Sequence, residues 1–232
     1  MDGTSGMRVS ASLYAADPLR LSEAVEAVAP HVGSLHIDIM DGRFASAFGL
    51  SEALVRSLLA EGSPPVDVHL MLEHPEPWIH QFALPGVRAI AFHAEAVSDV
   101  RSAASSIRAA GCLAYVAFLP ETPVARIAQL LPEADGILLL TAPPGGGAFN
   151  PEALARLQCL PRELPKIVDG RIGTSHFDLC RSTGVELAVL GRALFEGEGL
   201  AERARELSRL AAGNATDERA LHQVGPGERM VE

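Results

Sequence analysis

Four side chains able to bind a divalent cation stand at the ends of short apolar stretches of this chain. In Ser34-Leu35-His36-Ile37-Asp38-Ile39-Met40-Asp41-Gly42, His36 and Asp38 are two residues apart, and on a strand such residues point to the same side. His69 lies near the end of Asp67-Val68-His69-Leu70-Met71, and Asp169 follows Ile167-Val168 just before Gly170. Two imidazoles and two carboxylates form a mixed nitrogen and oxygen donor set that suits one divalent ion, with Zn2+, Mn2+, Fe2+ and Co2+ all compatible. An ion held there and touching the oxygens of a ketose acts as a Lewis acid for an ene-diolate. With Asp38 and Asp169 on opposite faces of the carbon beside the carbonyl, one removes a proton and the other delivers one to the reverse face. The stereocentre inverts, whereas a single base would return the proton to the face it left. A lone His or Asp at a strand end is more often a satisfied structural residue than a ligand. Four suitable residues at the ends of three strands favour function.

Such distant residues meet only if the strand ends converge. The sequence offers eight strand candidates: Arg8 to Leu13, Ser34 to Met40, Val66 to Leu70, Ala89 to His93, Leu113 to Phe118, Gly136 to Thr141, Lys166 to Val168 and Leu187 to Leu190. Between them lie longer amphipathic stretches, among them Pro18 to Ala29, Ser51 to Glu61, Val100 to Ala110, Pro123 to Leu131, Pro151 to Leu157 and Ser175 to Thr183. Ser51 before Glu52, Pro123 after Thr122 and Pro151 after Asn150 read as helix starts. Short apolar strands alternating with helices define an α/β chain with a parallel sheet. Closure into a barrel and an open doubly wound sheet share this local signature, and periodicity does not separate them. A last helix, about Leu200 to Ala212, precedes a polar segment without period. Residues 1–7 and 213–232 are expected to be disordered or loosely docked tails around one domain, 8–212.

At 232 residues the chain has room for one core of barrel size and little more. Charges, Pro or Gly interrupt every apolar run well short of the ~18 residues of a membrane span, so no membrane association is expected. The small, polar stretch from Met1 to Met7 does not read as a secretory signal. Cys112, Cys159 and Cys180 are too few and too scattered for a disulfide framework, and a reducing cytoplasm fits them best. The 29 acidic side chains outnumber the 19 basic ones, for a net charge of −10, and no Lys/Arg stripe is present; nucleic acid is therefore not an expected partner.

Taken in order, the motifs resemble the ribulose-phosphate 3-epimerase family. Ser10-Ala11-Ser12-Leu13-Tyr14-Ala15-Ala16-Asp17 is similar to that family's opening Pro-Ser-Ile-Leu-Ser-Ala-Asp. His36-Ile37-Asp38-Ile39-Met40-Asp41-Gly42 followed by Phe44 is similar to its second-strand signature. Val66-Asp67-Val68-His69-Leu70-Met71 with Pro75, then His93-Ala94-Glu95-Ala96, Val168-Asp169-Gly170 and Gly191 to Phe195 follow in the family's order. The resemblance spans about Val9 to Gly197 and implies a single-domain (β/α)8 TIM barrel, an isomerase interconverting ribulose 5-phosphate and xylulose 5-phosphate. It implies one bound divalent metal held by His36, Asp38, His69 and Asp169, the two aspartates being the acid/base pair. Ser12 and His69 fall beside the substrate, and Met40 and Met71 line the metal site, although core packing explains the methionines equally well. Assembly into a homo-oligomer is the family's habit.

The departures lie in the second half of the chain. Where the family has Met-Thr-Val-Asn-Pro-Gly-Phe-Gly-Gly-Gln, this chain reads Leu140-Thr141-Ala142-Pro143-Pro144-Gly145-Gly146-Gly147-Ala148. The family's Asp-Gly-Gly becomes Asp169-Gly170-Arg171, and its Gly-Ser becomes Gly191-Arg192. These turns form the phosphate cradle of such barrels. Gly145, Gly146, Gly170, Arg171, Gly191 and Arg192 are therefore expected to bind the substrate's phosphate end, Arg being able to clasp phosphate in a fork. The alternative is that both arginines face solvent or pair with surface carboxylates. The altered loop leaves room for another ketose phosphate, such as allulose 6-phosphate or sedoheptulose 7-phosphate. A decarboxylase of the same barrel group would need a Lys among the strand-end acids, which the second and third strands lack. A non-catalytic sugar-phosphate binder is the remaining alternative.

Overall fold

A computed structural model describes residues 6–213; most of the two expected tails, 1–5 and 214–232, lies outside the described residues. The strands are β1 (Arg8–Ser12), β2 (Ser34–Met40), β3 (Val66–Met71), β4 (Val87–His93), β5 (Leu113–Phe118), β6 (Gly136–Leu140), β7 (Lys166–Asp169) and β8 (Leu187–Leu190). They pair in parallel in chain order, and β1 also pairs with β8, so the sheet closes on itself. The residues pairing across that seam, Arg8 with Leu187 through Ala11 with Leu190, come from opposite ends of the chain. Closure is a long-range pairing, and local periodicity carries no trace of it.

The helices are α1 (Leu21–Val28), α2 (Glu52–Ala60), α3 (Ile79–Phe82), α4 (Val100–Ala109), α5 (Val124–Leu130), α6 (Pro151–Ala155), α7 (Phe177–Ser182), α8 (Arg192–Phe195) and α9 (Leu200–Ala211). Three starts expected from sequence have different physical bases. Asn150 caps α6 by accepting the N–H of Ala153 at 3.1 Å, whereas Ser51 caps α2 without a side-chain bond. Pro123 itself occupies the cap position of α5. The stretch from Pro18 splits: Asp17 accepts the N–H of Leu19 at 3.0 Å and starts a 3-10 turn over Pro18–Arg20, after which α1 begins. The stretches from Pro151 and Ser175 divide in the same way, with 3-10 turns at Arg156–Cys159 and Thr174–His176.

Strands buried on both faces divide their side chains between two cores. Outward residues such as Leu35, Ile37, Val68, Ile90, Val116 and Leu139 pack under Val55, Ile79, Ile107 and Ile127 of the helices. Fully burying each contributes roughly 1.5–3 kcal/mol. Inward residues Ala89, Ala91, Tyr115, Ala117, Leu138, Ile167, Leu187 and Val189 fill the barrel. Met7, assigned from sequence to the leading tail, is buried in the outer core.

The N-terminal end of the barrel is closed by charge. Arg88 at the start of β4 grips Asp67 of β3 through two 2.7 Å hydrogen bonds and lies 3.6 Å from Glu186, which also binds Arg8 at 2.6 Å. Lys166, fully buried, donates to the carbonyls of Pro161, Arg162 and Leu164 at 2.6, 3.0 and 2.9 Å. Charges at this end are thus committed to structure, which leaves the opposite, C-terminal end for chemistry. Among the described residues no helix is long and apolar enough to cross a membrane.

Candidate active site

Parallel pairing places Asp38 opposite His69 and Met40 opposite Met71 on adjacent strands, while β7 brings Asp169 from across the barrel. His36, Asp38, His69 and Asp169 each turn one donor atom toward a common point, and these four atoms lie within 4.8 Å of one another. Asp38 Oδ1 is 3.3 Å from His36 Nε2 and 3.4 Å from His69 Nδ1. Asp169 Oδ2 is 3.8 and 3.6 Å from the same two nitrogens. Buried polar atoms are normally hydrogen-bonded, yet Asp38 Oδ1 has no hydrogen-bond partner. His36 Nε2 and His69 Nδ1 stand 3.4 Å apart with this unpartnered oxygen beside them, and two imidazoles and two carboxylates so gathered fit a divalent cation at their centre.

Electrostatics follow from this crowding. Burial works against a charged His36, but Asp38 beside it, aided by Asp169, overrides this and pushes the imidazole up to about 9. Burial likewise opposes ionisation of Asp38, and the adjoining His36 and His69 hold its carboxyl well below the usual carboxylate range. The other oxygen, Oδ2, accepts a 2.9 Å hydrogen bond from Ser12 Oγ. Ser12 therefore fixes the rotation of the carboxylate.

Behind His69 stands a second imidazole. His69 Nε2 is 3.0 Å from His93 Nε2, and His93 Nδ1 is 3.4 Å from Glu95 Oε2, beyond good hydrogen-bond alignment. Glu95 Oε1 accepts from Leu119 N–H at 3.2 Å and from the Thr122 hydroxyl. Burial, with His69 alongside, pushes His93 down to about 4 in spite of Glu95. Inward Ala91 and Ala117, paired in register with His69 and His93, leave space for these rings. The sequence matches His93 and Glu95 as a motif but assigns them no role. The available signal is His93's place at the end of a strand in line with the ligand-bearing ones.

A cavity of about 530 Å3 opens above the four donors and is lined by Ser12, Asp38, Met40, Met71, Asp169, Gly145, Gly146, Gly170, Arg171, Gly191 and Arg192. Nearly all the residues expected to meet substrate thus border one space. His69 is the exception: it is fully buried and does not line the cavity, because one nitrogen faces the donor cluster and the other faces His93. Met40 and Met71 pack on Ala45, Phe44 and Ala47, so they line the cavity and serve the core at once. Gly170 has φ +107, and a Cβ there would stand 2.6 Å from the Ala142 backbone nitrogen, so no other residue fits the turn. The next residue, Arg171, takes the left-handed region with φ 61, a strained choice for a side chain. Arg192 Nε lies 3.6 Å from Glu196 Oε1 one helical turn on, and both side chains are mostly exposed.

A closed eight-stranded parallel barrel whose β2, β3 and β7 bring two histidines and two aspartates together defines a barrel enzyme with a candidate metal site. Comparison with known proteins agrees. Residues 8–195 match the ribulose-phosphate 3-epimerase family. Ribulose-phosphate 3-epimerase of Mycobacterium tuberculosis (strain ATCC 25618 / H37Rv) is 33% identical over 217 residues, covering 90% of this chain and 94% of the relative. The protein of that name from Escherichia coli (strain K12) is 29% identical over 199 residues, covering 81% and 88%. This chain belongs to the ribulose-phosphate 3-epimerase family. Among solved structures, 3-hexulose-6-phosphate synthase from Salmonella typhimurium is similar with a TM-score of 0.71 at 18% identity, covering 90% of this chain and all of that one. KGPDC from Streptococcus mutans gives 0.68 at 12%, covering 89% and 97%. At those identities the likeness speaks for the fold alone.

Proposed function

We propose that this barrel epimerises a ketose phosphate at C3, interconverting D-ribulose 5-phosphate and D-xylulose 5-phosphate, with Asp38 and Asp169 as the two proton carriers. The observation that carries the reading is the gathering of His36, Asp38, His69 and Asp169 around one point beside the cavity that the two aspartates line, with Asp38 Oδ1 left unbonded between two imidazoles. These four residues would hold a divalent cation. When bound, the ion supplies Lewis-acid stabilisation of the negative charge that develops on the substrate's oxygens.

The chain's own groups do the rest. One aspartate takes the C3 proton from one face, and the other returns a proton to the opposite face of the planar ene-diolate. Ser12 keeps Asp38 Oδ2 oriented toward the cavity that both share. Gly170, Gly191 and the glycines at 145 and 146 let backbone approach the phosphate closely, and Arg171 and Arg192 add charge at the same rim. Arg192 exchanges its loose contact with Glu196 for the phosphate.

The test is incubation of each candidate ketose phosphate in D2O with Zn2+, Mn2+, Fe2+ or Co2+ and detection of label at C3. Ribulose 5-phosphate should gain one deuterium and yield xylulose 5-phosphate. Preferential turnover of a six- or seven-carbon ketose phosphate would reassign the substrate, and absence of exchange in all of them would leave only a binding role. Asp38→Asn and Asp169→Asn should each lower kcat by about a thousandfold, ~4 kcal/mol in the barrier.

A further inference from the structure

We propose that His93 and Glu95 act together as positioning residues that fix the tautomer of His69, keeping its Nδ1 free of a proton and aimed at the cation site. The inference rests on the metal-dependent reading above and assigns a task to a motif that reading leaves unused. The chain of contacts runs from Glu95 Oε2 to His93 Nδ1 at 3.4 Å, and from His93 Nε2 to His69 Nε2 at 3.0 Å. From His69 Nδ1 it reaches Asp38 Oδ1 at 3.4 Å and Asp169 Oδ2 at 3.6 Å.

Two neutral imidazoles meeting nitrogen to nitrogen must share one proton, so one ring donates and the other accepts. Glu95 decides which. Its Oε1 already accepts from the Leu119 N–H and the Thr122 hydroxyl, as a carboxylate does, and its Oε2 faces His93 Nδ1. A bare Nδ1 lone pair facing that oxygen would be repelled, so His93 carries its proton on Nδ1 and its Nε2 is an acceptor. His69 must then donate from Nε2, which leaves the Nδ1 lone pair toward the cation site, where a bound cation, or in its absence His36 Nε2 as donor at 3.4 Å, offsets the repulsion from Asp38 and Asp169. The reverse order would put a proton on Nδ1 and block it as a ligand. Outer partners of this kind orient metal-binding imidazoles and raise their basicity.

The arrangement is held firmly. His93 is fully buried, and the Phe44 ring packs on it with centroids 4.6 Å apart. Glu95 lies on the loop after β4 and is only partly buried, so its removal leaves the barrel core intact. This makes Glu95→Ala the informative variant, with His93→Phe as a second that removes the acceptor itself.

Zn2+ affinity by chelator competition and imidazole 15N spectra of the metal-free protein test the idea. The wild type should show His69 protonated on Nε2. Both variants should bind Zn2+ about tenfold to a hundredfold more weakly, and Glu95→Ala should show His69 as a mixture of tautomers. A Glu95→Ala protein with unchanged Zn2+ affinity and His69 still protonated only on Nε2 would overturn the inference, as would a wild-type His69 protonated on Nδ1. If the wild type bound no divalent cation, the metal-dependent reading would fail instead, and the metal-free spectra would still decide the tautomer.

Discussion

Binding of a cation to this site should expel a proton, and the thermal stability it confers should grow with pH. In the metal-free protein His36 is raised to about 9, after Asp38 and Asp169 outweigh the cost of burial. A ligand imidazole must be neutral, so the ion competes with that proton. At pH 7, two units below, about one His36 in a hundred is neutral, and apparent affinity is about a hundredfold weaker than at high pH. Between pH 7 and 8 one unit then strengthens binding about tenfold, or ~1.4 kcal/mol at fixed excess metal, and the gain levels off toward pH 9. For a chain of this size that shifts Tm by about 3–5 °C per unit. The sign holds from the protein side as well. A raised pKa stabilises the metal-free fold below the unfolded value of 6.5, and that contribution is lost as pH rises toward 9. The assay is differential scanning fluorimetry with EDTA and with excess Mn2+ at pH 7.0, 7.5 and 8.0, backed by calorimetry in buffers of different ionisation enthalpy. A melting gap that stays constant or narrows with pH, or uptake of metal without proton release, would refute the reasoning.

Three further outcomes are expected. Gly170→Ala should destabilise by about 2–4 kcal/mol in urea unfolding, since both the backbone angle and the contact with Ala142 forbid a Cβ. Folded His93 stays neutral down to about 4 whereas its unfolded form protonates at 6.5, so EDTA-treated wild type should lose stability as pH falls through that window; His93→Phe should show a shallower loss in acid melts. Replacing Arg171 and Arg192 together by Ala should raise KM for the phosphorylated sugar at least tenfold while changing kcat less, if these side chains bind phosphate in both ground and transition states; equal KM for variant and wild type would assign both to solvent.

The sequence disclosed what repeats locally. The bounds of β2, β5 and β8 coincide with their apolar runs, and the alternation within β2 was enough to put His36 and Asp38 on one side. It did not disclose α3 and α8, because four residues show no period, nor the 3-10 turns that divide longer amphipathic stretches. The four-donor cluster was legible because its members lie on strands that share one barrel interior, although only Asp169 ends its strand while His36, Asp38 and His69 sit within β2 and β3. The His93–Glu95 chain was not, since it depends on the rotation of two rings and on the room left by Ala91 and Ala117. The orientation of Arg192 toward Glu196 was equally beyond reach, being a choice between an exposed acid and a ligand.

The donors come from β2, β3 and β7, residues 36 to 169, while the seam that closes the sheet joins β1 to β8. A nascent chain carries all four donors once residue 169 has emerged, but β8, which closes the sheet with β1, is still missing, so the donors lack the closed barrel that gathers them. A cation would then join a scaffold that folding has already built, and the supply of free metal at that moment would choose among the ions these donors accept.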